Sequence, residues 1–158
     1  MISKITEEDS FYGHTHNVLC ITQLYDGSII TGSSDCSIKI WNMSGVVIKT
    51  LEGHSSEVYD IISLSNFIII SASRDNTIKI WDIISGKIIK DVKVHTSYVW
   101  GISMLHNGNI VSASRDGTVH IIDIGHLSLT HASLLSLSLF SSPLISLFSH
   151  TYSLSLFY

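Results

Sequence analysis

Three stretches decide how this chain reads: ITGSSDCSIKIWN at residues 30–42, IISASRDNTIKIWD at 69–82 and IVSASRDGTVHIID at 110–123. Superposed, they align Asp35 with Asp75 and Asp116, and Trp41 with Trp81, leaving Ile122 at the third equivalent position. His14, His54 and His95 keep the same spacings of 40 and 41 residues. Text that repeats at this period describes one supersecondary unit used three times. Such units bury their apolar faces against one another.

Each copy predicts four short strands. In the second, Val58–Leu64 alternates loosely and Phe67–Ala72 is a continuous apolar run. Thr77–Trp81 then alternates Ile78 and Ile80 with Lys79, and Lys87–Lys93 is a more polar fourth segment. Runs of Ile and Val of this length, bounded by Gly, Asn, Asp and Ser, favour strands. Arg74-Asp75-Asn76-Thr77 and Arg115-Asp116-Gly117-Thr118 read as tight hairpin turns, since Asn and Gly accept the positive φ such turns require. No 3.6-residue period is sustained between residues 13 and 123, so this piece is expected to be all-β.

Gly13-His14 and Gly53-His54, the Ser-Ala-Ser-Arg-Asp runs, and the Trp41-Asn42 and Trp81-Asp82 endings resemble the blades of WD-repeat β-propellers. The resemblance covers residues 13–124. It thins in the third copy, which has Val94-His95 for Gly-His and Ile122-Asp123 for Trp-Asp. The fold class it implies is a partial β-propeller of three four-stranded blades: repeat 1 at 13–52, repeat 2 at 53–93 and an incomplete repeat 3 at 94–124. An N-terminal arm at 1–12 precedes them. Propellers have about four to eight blades around a central channel. In this family an outer strand, here Met1–Thr6, often latches the last blade to the first.

The resemblance also implies a buried hydrogen-bond network in each blade. By position it comprises His14, Thr31, Asp35 and Trp41 in copy one, His54, Ser71, Asp75 and Trp81 in copy two, and His95, Ser112 and Asp116 in copy three. Carboxylate, imidazole, hydroxyl and indole can satisfy one another's donors and acceptors when buried together. Two further positions per blade are implied to face the channel mouth. One gives Ser34, Arg74 and Arg115, just before each turn Asp; the other gives Leu19, Tyr59 and Trp100, after the first-strand Val. Arg, Tyr and Trp are enriched at interface hot spots. Propellers that read phosphorylated peptides for ubiquitin ligases are similar in placing Arg here, because a guanidinium fork matches phosphate.

Away from the repeats the sequence changes character. Every charged residue lies between Lys4 and Asp123, whereas residues 124–158 contain ten Ser and ten Leu, often alternating. This low-complexity Ser/Leu tail, assigned to 125–158, reads in three ways. It could anchor the chain in a membrane as an adaptor, but Ser, His and Pro143 interrupt it and no basic residue flanks it, so a membrane role is not favoured. It could add a strand to the third blade. The reading adopted is a third one, translated sequence never selected to fold, since a CT dinucleotide repeat encodes alternating Ser and Leu.

Charge and chemistry narrow the function. With 9 Lys+Arg against 13 Asp+Glu, a net charge of −4 gives no general attraction to nucleic acid. Cys20 and Cys36 make no disulfide framework and read as buried or turn thiols. The opening MISKITEEDSFYG lacks an apolar signal core, so the expected location is cytoplasmic or nuclear. Ser, His and Asp recur with blade spacing, as a packing device would, and no G-x-S-x-G accompanies them. His14, His16, Cys20 and Cys36 lack zinc-site spacing, and neither metal nor cofactor is implied. The expected function is a non-enzymatic scaffold for protein or peptide partners, with phosphopeptide recognition beside a ubiquitin ligase as the narrower alternative. Three blades would leave two open edges, which self-association could close.

Overall fold

A run such as Ile68-Ile69-Ile70 is stable as a strand only if both sides of its sheet are covered, and the fold supplies that cover. The computed structural model describes residues 10–125. Its eleven strands form three antiparallel meanders, with no helix among the described residues. The first sheet runs β1 (Val18–Gln23), β2 (Ile29–Ser33), β3 (Ile38–Trp41) and β4 (Val47–Leu51). The second runs β5 (Val58–Ser63), β6 (Ile68–Ser73), β7 (Ile78–Asp82) and β8 (Lys87–Val92). The third contains β9 (Val99–Met104), β10 (Ile110–Ser114) and β11 (Val119–Ile122).

The third blade shows three strands among the described residues, which end at Gly125. The Met1–Thr6 latch and residues 126–158 of the tail lie outside the described residues.

The sheets stack face on face, with the first strands of successive blades adjacent, β5 lying beside both β1 and β9. Ile30, Ile38, Ile40 and Leu51 of the first sheet pack on Val58, Ile61, Ile69 and Trp81 of the second. From the other side of the second sheet, Ile68, Ile70, Ala72, Ile78 and Ile80 pack on Val99, Ile102, Ile110 and Ile122. Alternation along β6 sends Ile69 and Ser71 to one neighbour and Ile68, Ile70 and Ala72 to the other. The middle blade is therefore apolar on both faces. Each Ile buried in this way contributes about 1.5–3 kcal/mol.

One construction closes all three β-hairpins between second and third strands. Cys36 N–H donates to Ser33 O, Asn76 N–H to Ser73 O and Gly117 N–H to Ser114 O, at 3.2, 3.3 and 3.2 Å. The donating residue has φ of 68°, 69° and 84° respectively. This is a type I turn followed by one left-handed residue, the usual three-residue hairpin. Gly117 adopts that conformation freely and Asn is among the side chains that tolerate it best, whereas Cys36 bears the Cβ clash. Cys36→Gly is expected to raise stability by about 0.5–1 kcal/mol, read as a higher urea midpoint with unchanged slope.

Candidate functional site

The second and third blades carry their polar networks on the face turned toward the preceding blade, and the first carries its network on the equivalent face. In the second, His54 Nδ1 lies 2.7 Å from Asp75 Oδ2 and His54 Nε2 lies 2.7 Å from Ser71 Oγ, while Trp81 Nε1–H donates to Ser71 Oγ at 2.8 Å. An indole N–H can only donate, so the serine oxygen accepts it and sends its own hydrogen to His54 Nε2. That leaves Nδ1–H to donate to the carboxylate. The first blade repeats the chain with His14, Thr31, Asp35 and Trp41, at 2.8 Å to Asp35, 2.7 Å to Thr31 and 2.8 Å from Trp41 to Thr31. In the third, His95 reaches Asp116 at 3.0 Å and Ser112 at 2.8 Å. Ile122 supplies no indole there, and the His120 ring packs edge-on against His95 at 4.7 Å between centroids.

Sequence reasoning missed two members of each network. Ser37, Thr77 and Thr118 each donate a hydroxyl to the turn carboxylate at 2.6 Å. Ser33, Ser73 and Ser114 accept the backbone N–H of Asp35, Asp75 and Asp116. Their signal was present as Ser-x-Asp-x-Ser/Thr in all three copies. With the N–H of Thr15, Ser55 or Thr96 added, each carboxylate is held by a ring of donors.

Burial pushes the carboxyls of Asp35 and Asp75 upward, but hydrogen bonds from Ser37 and His14, and from His54 and Thr77, outweigh it and hold both well below the usual range. Asp116 is lowered chiefly by the Thr118 hydroxyl. A folded-state value below the unfolded one stabilises the fold above about pH 4 and loses that stabilisation as pH falls further.

The geometry has the outline of a hydrolytic triad without its access. Ser71 is fully buried, and its oxygen already accepts the Trp81 indole. Among the described residues no group of three or more His, Cys, Asp and Glu could hold a metal ion, and no helix is long and apolar enough to cross a membrane. Burial pushes the Cys20 thiol up to about 12, which keeps it protonated near neutral pH.

A second cluster lies at the inner strands. The register slips between Val18 and Cys20, between Val58 and Asp60, and between Val99 and Gly101. Leu19, Tyr59 and Trp100 are therefore the extra residues of three equivalent β-bulges, a feature that re-aims a side chain. Tyr59 stacks on Trp100 at 4.8 Å, and Tyr98 meets Trp100 edge-on at 6.0 Å. The guanidinium groups of Arg74 and Arg115 lie over the Tyr98 ring at 4.9 and 5.1 Å. Arg74 also pairs with Glu57 at 2.6 Å, whereas Arg115 makes no ion pair among the described residues.

These contacts show in the ionisation of the group. The Arg74 hydrogen bond lowers the Tyr98 phenol, the Ser56 hydroxyl and then Arg74 lower Glu57, and burial raises Tyr59. Four of the six positions expected at the mouth, Arg74, Arg115, Tyr59 and Trp100, thus meet around Tyr98. Leu19 and Ser34 hold the equivalent places on blade one and offer neither charge nor ring. Glu57 and Tyr98 were not foreseen; each immediately precedes the first strand of its blade, at a position with no constant residue type across the repeats, Asn17 being the third.

The model of the family described as WD domain, G-beta repeat, matches residues 6–42, 45–82 and 86–123, and the chain belongs to that family. Its proteins are generally protein-interaction scaffolds and typically non-enzymatic. Among solved structures the chain is similar to the WD40 β-propeller domain of Doa1, with 32% identity and a TM-score of 0.67. The match covers 73% of this chain and 39% of that one, so this sequence spans well under half of that chain's length. No curated protein matches.

Two experiments follow from the networks. Ser71→Ala strands both His54 and Trp81, whereas Ser112→Ala strands only His95. The expected losses are about 2–5 and about 1–3 kcal/mol, ranked by urea unfolding at pH 7. Unfolding followed from pH 7 down to pH 2 should show stability falling below about pH 4. Asp75→Asn should flatten that fall while lowering stability at pH 7.

Proposed function

We propose that this chain is a non-enzymatic interaction platform that seats an acidic or phosphorylated peptide at the channel-mouth cluster. The observation that carries the reading is Trp100, half-exposed and stacked on Tyr59, beside an Arg115 guanidinium with no carboxylate partner among the described residues. An exposed aromatic shelf gives a peptide apolar area at low entropic cost, and a free guanidinium fork favours a carboxylate or phosphate beside it. Arg74 is a weaker contributor to the same site, because Glu57 already neutralises it at 2.6 Å. An anionic ligand must compete with that carboxylate, which favours the doubly charged phosphate over a single carboxylate.

The test is an array of matched peptides, neutral, acidic and phosphorylated, followed by titration of the best binder. Trp100→Ala and Arg115→Ala should each weaken binding at least tenfold, and Arg74→Ala less. Circular dichroism should be unchanged, since Trp100 and Arg115 are exposed. No binder on the array, or affinity indifferent to Trp100→Ala, would sink the reading.

A further inference from the structure

The blade–blade interface occurs twice inside this chain, and among the described residues both halves of a third are left open. The face of blade two that packs on blade one presents Val58, Ile61, Ile69, Trp81 and Ile83, and the repeat places Val18, Ile21, Ile29, Trp41 and Met43 at the same positions on blade one. Val58 and Ile61 are 0% and 3% exposed, and Val99 and Ile102 of blade three are 0% and 7%. Their counterparts Val18 and Ile21 stand at 54% and 69%, and Met43 at 67%. Val18 and Ile21, with Phe11, Ile29, Thr31 and Trp41, line a hollow of about 380 Å³. The other open half is on blade three. There Val111, Ala113, Val119 and Ile121 take the positions of Ile70, Ala72, Ile78 and Ile80, which are fully buried in blade two, yet Val119 and Ile121 are 67% and 66% exposed.

The two open faces match each other and do not match themselves. Where this interface exists, a small residue receives the branched side chains opposite: a Cβ added to Gly32 would stand 2.7 Å from Val58 Cγ1 and 3.0 Å from Ile61 Cδ1. Ala113 holds the place of Gly32 and Ala72, and so offers Val18 and Ile21 the small residue that their counterparts meet. Blade one set against blade one would instead press Ile21 on Ile21, a pairing found at neither internal interface. None of the residues named is charged, and Lys39, which shares the Trp41 side of β3, corresponds to Lys79, which is buried in blade two and pairs with Asp91 at 2.9 Å.

We propose that a second copy of this chain covers both faces, blade one of each copy stacking on blade three of the other to close a two-chain ring. A contact between two different faces either closes on itself or propagates into a filament. Two copies of three sheets make six blades, inside the range of about four to eight that propellers use, whereas three copies would make nine. Phe11 supports the same geometry. It lies two residues before Gly13 as Leu51 lies before Gly53, and its ring packs on Trp41 at 5.9 Å, so the chain enters blade one along the place of a preceding blade's outer strand.

Light scattering on the full chain should give twice the 17.4 kDa of one copy. A monomer at every concentration, or an open-ended polymer, overturns the proposal. Val18→Cys and Ala113→Cys, prepared separately, should form an interchain disulfide on mixing and oxidation. Neither variant alone should do so at a comparable yield. Crosslinking of Val18→Cys with itself, or none in the mixture, refutes this docking. Ile121→Lys, at a site exposed in the single copy, should give monomers of unchanged dichroism; a persistent dimer would refute it as well.

Discussion

A β-sheet with apolar side chains on both faces cannot stand in water, and everything else in this molecule follows from how that is resolved. Ile68, Ile69 and Ile70 are all buried although they point alternately to opposite sides of one strand. That is achieved only because one blade lies against each side. The blade is therefore less a domain than a layer. Its stability depends on its neighbours, and the innermost strands are brought together as a consequence of the stacking.

The polar networks are compatible with this dry stacking because they are closed. Asp75 accepts hydrogen bonds from His54, Thr77 and two backbone amides, so its charge is compensated where water is scarce. The serine hydroxyl links imidazole to indole, and the tryptophan links the network to the apolar interface. The third blade shows the device with a link removed. Without an indole at position 122, His120 packs against the imidazole while the His–Ser–Asp bonds persist. The carboxylate end of the network is set by the turn, which all three copies share.

At the first-strand bulges the same repeat produces variation. Three equivalent bulges aim three side chains, yet one is Leu19, one Tyr59 and one Trp100. The scaffold fixes direction and leaves chemistry free, which is why binding residues tend to sit at such positions. Asp60 shows how polar groups also join blades: its carboxylate accepts the Ile102 backbone N–H at 2.8 Å across the interface between the second and third.

Much was legible in the sequence because repetition aligns a chain with itself. The period of about 40 residues, the Asp at each turn and the alternation of Ile with Lys determined strand order, hairpins and the His, hydroxyl, Asp and Trp members of the networks. What sequence could not supply were relations between residues far apart in the chain. Tyr98 becomes the centre of the arginine–aromatic cluster only because stacking sets blade three beside blade two, and Glu57 neutralises Arg74 only through the register of β5 on β6. Likewise Val58 and Val18 are the same residue type at the same repeat position. Whether each is buried or open was decided by the tertiary structure alone, since burial depends on which face finds a neighbour.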